Sequence, residues 1–500
     1  MGANNGEDAE VGADTTADVV VIGAGPGGIC TAIQLRQAGI EDVLVLEKSA
    51  GLGGTWFNNR YPGLACDVST DLYSFSFFLD HEWERPFATR AEIVEYLEAA
   101  VDRFGVRDAI HLDTHAVSAH WDDEHGRWTV VDSRGGRWTA RVLVGAVGMF
   151  NEFVPPAIPG LDTFAGPVTH TAEWPDGDLG FLTGRRVSVI GTAASATQVV
   201  PAIAPHTGHL TVFQRTSNWV FPKEHGRYTA EQKRSRRADR SVIEAGRAQA
   251  ARELDELFAD LDNEAKTAEQ AARALANLET VRDPAIREAL RPTARLGAQR
   301  PLLSSEFYET FNRPDVTLVT SPIAEITATG IRTADGREHP TDHLVLATGY
   351  HAHKFLSIVD VVGRGGASLR EQWAEGAYAY LGMTVENFPN LFMLYGPNTN
   401  GGSIIDKLET QTRYIVAKTT HVLKNGVRAL EVRPEVVAAY NTQLQADIGA
   451  VQAWQVEGSR YYRAPSGRVV TQCPYTVVEY DRMTREDDLA AFALRLEDPS

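Results

Sequence analysis

The sequence predicts an α/β protein with two parallel-sheet units, and three observations carry that expectation. A short apolar run that ends in a glycine-rich turn occurs twice, as "VVVIGAGPGG" and as "VSVIGTAASA". Each turn opens a helical pattern that leads into a second apolar run. Strand-length and helix-length segments alternate through much of the chain, as parallel sheets with crossover helices require. At 500 residues the chain is also too long for one core and divides into domains.

Composition narrows the function classes. A formal net charge of -18, with 23% charged and 43% hydrophobic residues, suits an acidic soluble protein and argues against a nucleic-acid partner. No apolar run reaches the roughly 18 residues that a membrane helix needs. Residues 1–17 are polar and acidic, unlike a secretory leader, and read as a disordered tail. Cys30, Cys66 and Cys473 have neither disulfide nor metal-ligand spacing, so no metal is expected and a cytoplasmic location is the default.

The first repeat places a strand over Val19–Ile22, a turn through Gly23, Gly25 and Gly28, a buried helix, and a second strand over Val43–Leu46 that ends at Glu47. Gly23 makes the tight turn, Gly25 lets backbone approach a pyrophosphate, and Gly28 lets helix and strand pack closely. The helix N-terminus faces the phosphates, and Glu47 accepts hydrogen bonds from a ribose. An adenine dinucleotide is the implied ligand. The segment after it, with Trp56, Tyr61-Pro62-Gly63 and Asp67, reads as a wall over a flat cofactor or as plain core.

The second repeat runs from a strand over Val187–Ile190 through Gly191, with Ala193 and Ala196 at the second and third glycine positions. Ala is common at the third position, whereas the Ala193 methyl stands where backbone approaches pyrophosphate. After the strand over Leu210–Phe213, Arg215 stands where an acid would meet a ribose hydroxyl. Guanidinium there grips a 2'-phosphate, which favours NADP over NAD, unless Arg215 is an ordinary surface residue. Two such sites point to a flavoprotein reduced by NADPH. Without a cysteine pair near the flavin, oxygen is the remaining electron acceptor.

Between the repeats lies "FAGPVTHTAEWP", which has no helical or strand period and reads as an irregular connector. It resembles the Phe-x-Gly-x-x-x-His-x-x-x-Trp-Pro fingerprint of Baeyer-Villiger monooxygenases at Phe164, Gly166, His170, Trp174 and Pro175. "GGTWFNNRYPGLACD" is similar to a second signature of that family, and the resemblance extends from Asp18 past "YGPNTNGGS" to "GSRYYRAPSGRVV". It implies two Rossmann-like dinucleotide-binding domains, for FAD and NADP, with a helical insertion in the NADP domain. The implied boundaries are 18–150 and 380–500 for FAD, 151–227 and 300–379 for NADP, and 228–299 for the insertion, which would border the substrate entrance. "HLVLATGYHAH" resembles the segment that returns the chain from the NADP to the FAD domain.

The resemblance also assigns residues. FAD would be held by Gly23, Gly25, Pro26, Gly28, Glu47, Gly54, Thr55, Trp56, Asp67, Tyr73 and Val117. NADPH would be held by Gly191, Thr192, Ala193, Ser195, Arg215, Thr216 and Gln299, the last standing where the family commonly has Lys. "YGPNTNGGS" is expected against the flavin and "RYYRAP" in a mobile loop near the substrate. Arg300 is the implied catalytic cation and Asp67 its partner; by residue type alone Arg300 is a surface arginine. His170 and Trp174 form a hinge, with proton transfer or plain packing as alternatives for His170. The implied reaction turns a ketone into an ester or lactone with NADPH and O2 through a flavin C4a-peroxide. A flavin N- or S-oxygenase and a catalytically silent flavin sensor remain alternatives. Monomer and homo-oligomer both remain open.

Overall fold

Val19, Val20 and Val21 have no exposed surface, as a central strand covered on both faces requires. They belong to β1 (Thr15–Ile22), which in the computed structural model pairs in parallel with β2 (Val43–Leu46) and β6 (Arg137–Gly145). The structure describes residues 14–176, 179–223, 226–259, 261–456 and 462–497. Of the expected tail, residues 1–13 lie outside that range, and residues 15–17 are strand instead. Thr15 pairs with Trp138 because the long partner β6 offers ladder hydrogen bonds that composition does not reveal.

The first sheet continues from β2 to β3 (Ile110–His111) and from β6 through antiparallel β5 (Arg127–Asp132) to β4 (Ala116–Asp122). β17 (Asp360–Val362) and β18 (Leu391–Met393) add in parallel to β4 and β6. Val19 and Val21 face α1 (Pro26–Gln37), α3 (Arg90–Arg103) and α11 (Ile404–Lys424), in one core with Ile29, Tyr96 and Ile405. Val20 and Ile22 face the other way, toward Trp128, Phe355 and Val361. Placing residues up to 379 in the second domain therefore needs correction. The chain re-enters the first unit soon after Leu346, and α10 (Leu369–Gln372) packs there too. A three-residue strand is too short to show a period in sequence.

The second sheet is wholly parallel, in the order β12 (Val316–Val319), β9 (His209–Phe213), β8 (Arg186–Ile190), β16 (His343–Leu346) and β7 (Val168–His170). The connector thus ends in an edge strand and a single turn over Thr171–Glu173, not in irregular loop throughout. Pro167 and the exposed Val168 are tolerated there because an edge strand pairs on one side only. α4 (Ala196–Ile203) and α9 (Glu306–Thr310) cover this sheet, and β13 (Ile323–Thr327), β14 (Gly330–Thr333) and β15 (Glu338–Pro340) form a small antiparallel flap. The C-terminal part of the first unit adds α12 (Pro434–Ala450), α13 (Val477–Arg485) and the ribbon of β19 (Val427–Val432) with β20 (Phe492–Leu496).

The 228–299 segment is helical, with α5 (Ala230–Ala238), α6 (Arg240–Ala259), α7 (Glu264–Leu278) and α8 (Pro284–Leu290). It does not belong to the second unit alone. Arg236 pairs with Asp71, while Arg247 pairs with Asp406 and donates to the carbonyls of Asp71, Leu72 and Ser74. Leu278, Val281 and Leu290 instead join the second core, beside the short parallel pair β10 (Val220–Phe221) and β11 (Leu302–Leu303). The acidic partners of these arginines lie more than 150 residues away in sequence, at Asp71 and Asp406.

The two units also interlock through the segment before Asp67. Tyr61 is buried within the second core, and the Gln198 side chain of α4 accepts from the Ala65 amide at 2.9 Å. Gly63 has φ +81°, and a Cβ there would lie 2.5 Å from the Gln198 carbonyl oxygen. Gly63→Ala should therefore destabilise the protein by about 1–3 kcal/mol through backbone strain and a forced opening of this seam. Chemical denaturation checks this, and an unchanged midpoint would show that the seam is not close-packed.

Candidate active site

Each unit presents one glycine turn, after β1 in the first and after β8 in the second. Gly23 has φ +106°, and a Cβ on it would lie 2.7 Å from the Ala146 carbonyl; one on Gly28 would lie 1.8 Å from the Gly23 carbonyl. Gly25 and Gly54 face each other backbone to backbone, since a Cβ on Gly54 would lie 3.0 Å from the Gly25 Cα. Pro26 starts α1, where its missing N–H costs nothing. The buried Glu47 carboxylate accepts from the amides of Ala24, at 2.7 Å, and Ser49, at 2.8 Å, and so is fixed at the lip of the turn. This cradle of bare backbone and one oriented carboxylate fits an adenine dinucleotide.

The other residues expected there divide. Trp56 donates to the Tyr73 hydroxyl at 2.7 Å with the rings edge to face, beside the exposed Thr55. Val117 sits at the β4 bulge, exposed and outside the strand register. In "YGPNTNGGS", Asn398 Oδ1 in the loop and Ser403 Oγ at the start of α11 are buried without a hydrogen-bond partner among the described residues, polar atoms suited to a ligand with its own donors and acceptors. Tyr61 and Gly63 form the seam, because the α4 backbone fills the space over Gly63 and Tyr61 joins the second core. Of "RYYRAP", residues 460 and 461 lie outside the described residues.

The second turn repeats the first. Gly191 has φ +121°, and a Cβ there would lie 2.5 Å from the Ala347 carbonyl. Ala196 is fully buried against the sheet, whereas Ala193 is exposed at the lip. Thr192 donates to the Thr216 carbonyl at 3.0 Å, which joins the turn to the loop carrying the exposed Arg215. Ser195, at the start of α4, contacts the Tyr61 hydroxyl. Gln299 is half-buried next to Arg300.

Arg300 donates to Asp67 Oδ2 at 2.6 Å across the seam. Burial opposes the charge on Asp67, but the Arg300 guanidinium and the Lys223 ammonium outweigh it and hold the carboxyl below the usual carboxylate range. The two side chains remain 46% and 34% exposed, so the pair adds at most about 1 kcal/mol to stability. Such a pair matters for where it holds a permanent cation rather than for the fold.

His170 accepts from the Ala172 amide at Nδ1, which places its proton on Nε2 toward the Thr348 hydroxyl, itself a donor to the Val154 carbonyl. Burial pushes the imidazole down to about 4. Thr348 and Val154 lie on the two segments by which the chain changes units, and those segments pair with each other at Phe153 and Tyr350. The ring also stacks on Phe153 at 4.4 Å. Gly166 is required because a Cβ would lie 2.7 Å from the Asp342 carbonyl and from the Phe164 ring. Trp174 is buried in the second core and anchors the connector there.

Sequence reasoning missed Gln198, Lys223 and the Tyr350 hydroxyl, which donates to Asn59 at 2.6 Å across the seam. Nothing in their spacing marks them, since every partner is distant. Cys30, Cys66 and Cys473 are free and buried, and burial pushes the Cys30 and Cys66 thiols up, which makes them poor redox groups.

A family profile described as pyridine nucleotide-disulphide oxidoreductase matches residues 20–267. A Baeyer-Villiger monooxygenase of Streptomyces coelicolor is 39% identical over 95% of this chain and 92% of its own length. The phenazine N-monooxygenase PhzNO1 of Lysobacter antibioticus is 35% identical over 80% of this chain and 82% of its own. Among solved structures, cyclohexanone monooxygenase from Rhodococcus sp. Phi1 bound to NADP+ superposes with a TM-score of 0.87 at 32% identity, covering 97% of this chain and all of that one.

His170 and His343, whose pKa burial also lowers to about 4, are neutral in the fold. Both take up a proton below about pH 6.5 once unfolded. The stability they contribute is therefore present above that pH and is lost between pH 6.5 and 4, at up to about 1.4 kcal/mol per pH unit for each histidine. His170→Gln should remove its share of that slope, and denaturation midpoints across this range check it. An unchanged slope would show that His170 titrates normally.

Proposed function

The chain belongs to the Baeyer-Villiger monooxygenases, and on that premise we propose how its own residues carry out the oxygenation. The enzyme uses FAD, NADPH and O2 to insert one oxygen beside the carbonyl of a ketone-type substrate, giving an ester or lactone. FAD, when bound, supplies the redox step that passes electrons from NADPH to O2. Gly23, Gly25, Pro26 and Gly28 would hold its pyrophosphate at the α1 N-terminus and Glu47 its ribose, while Gly54, Thr55, Trp56, Tyr73 and Val117 flank it. Gly191, Thr192, Ala193 and Ser195 would hold the NADPH pyrophosphate, with Arg215 and Thr216 at its 2'-phosphate and Gln299 nearby.

The observation that carries the catalytic assignment is the Asp67–Arg300 pair at the seam, where both units meet. Arg300 would stabilise the negative charge that develops on the carbonyl oxygen as carbon–oxygen bonds rearrange. A preorganised donor of this kind supplies roughly 3 kcal/mol once bound substrate and cofactor exclude water from it. Asp67, ionised at working pH, would keep the guanidinium aimed and limit the cost of withdrawing it from water. His170 would be a hinge, since its neutral ring is held at Nδ1 by the Ala172 amide of its own turn, donates from Nε2 to Thr348 on one crossing segment and stacks on Phe153 of the other.

Arg300→Ala should bind FAD and consume NADPH, yet form ester at least a hundredfold more slowly, with hydrogen peroxide released instead. Arg300→Lys should recover part of the loss, and Asp67→Ala should fall between. Product analysis on a panel of cyclic, aliphatic and aromatic ketones checks this. A normal ester yield from Arg300→Ala would remove it from the mechanism, and a parent enzyme that forms only N-oxides from heteroaromatic amines would overturn the ketone reading. Arg215→Ala should raise the KM for NADPH at least tenfold more than the KM for NADH.

A further inference from the structure

The loop after β9 is stitched to the end of the helical insertion by three side chains. Gln214 Nε2 donates to the Ala289 carbonyl at 2.7 Å, Ser217 Oγ to the Arg291 carbonyl at 2.8 Å, and Trp219 Nε1 to the Ala294 carbonyl at 2.8 Å. Residues 289–294 therefore run beside residues 214–219, and Arg291 is rooted next to Thr216. The neighbouring arginines are committed elsewhere. Arg287 is bound to Glu279 and the Val281 carbonyl, and Arg295 to Asp262 and the Leu261 carbonyl. The only charged partner of Arg291 among the described residues is Glu288, one turn back, in a pair with 41% and 75% exposure. Such a pair is worth little and is readily exchanged for a better anion.

From this geometry we infer that Arg291 is the second cationic arm of the 2'-phosphate site, closing on a ribose 2'-phosphate opposite Arg215. This rests on the reading that Arg215 binds that phosphate. A phosphomonoester carries nearly two charges and three acceptor oxygens, so one guanidinium leaves it underbound, and Gln299 adds no charge. The helical insertion thereby takes part in choosing the nicotinamide cofactor. Because Ser217 holds the Arg291 carbonyl and not its side chain, Arg291→Ala leaves the stitching in place.

The test is calorimetric titration of the FAD-loaded enzyme, without turnover, with NADP+ and NAD+. Arg291→Ala is expected to weaken NADP+ at least tenfold and NAD+ less than twofold. Glu288→Gln, which frees the guanidinium, is expected to tighten NADP+ by a factor of two or more without affecting NAD+. If Arg215→Ala discriminates between the two nucleotides and Arg291→Ala does not, the second arm is wrong and the phosphate site stands. If neither variant discriminates, the phosphate reading itself falls. Equal weakening of both nucleotides by Arg291→Ala would likewise overturn the inference, as a loss of packing rather than of a phosphate contact.

Discussion

Two glycine-to-carbonyl contacts govern where this chain can change from one unit to the other. Gly23 packs against the Ala146 carbonyl and Gly191 against the Ala347 carbonyl, each too closely for any Cβ. In both units the strand that returns to the centre must pass directly under the dinucleotide turn, and the crossing segment begins at the next residue. The two crossings then emerge side by side and pair at Phe153 and Tyr350, with His170 bonded to Thr348 of one and stacked on Phe153 of the other. The nucleotide turns and the inter-unit linkers are thus parts of one arrangement.

This arrangement explains why the family fingerprint combines unlike residues. Phe164 lies over Gly166, His170 ties the crossings together and Trp174 roots the segment in the second core. None needs to touch a cofactor. A neutral imidazole that is fixed by its own turn, bonded to Thr348 and stacked on Phe153 makes a short link that keeps two backbone ribbons in register while the units pivot, which is the physical content of the hinge we propose. The same logic applies to Tyr61 and Gly63, which read as cofactor wall or plain core in sequence and form the seam in space.

The helical insertion carries a second consequence of distance. Its first half is fastened to the first unit by partly buried arginine pairs and its second half to the second core. Any motion between the units must bend or strain this strap. The end that bears Arg291 is also stitched to the loop of Arg215, so cofactor preference and strap position are joined in one element.

Local chemistry was legible in the sequence. The four principal strands, both glycine turns and Glu47 follow from periodicity, glycine placement and end signals, because each depends on neighbours a few residues away, and the helical character of residues 228–299 came with the resemblance. Arg300 and Asp67 were legible only through resemblance, since 233 positions separate them. Short elements escaped: β7, β17 and residues 15–17 exist because a partner strand offers hydrogen bonds, not through any pattern of their own. What tertiary structure alone decided is which distant surfaces touch: Gln198 on the Ala65 amide, Arg247 on three carbonyls, Arg291 beside Ser217. Such contacts depend on packing whole units together, and a linear sequence carries no period for them.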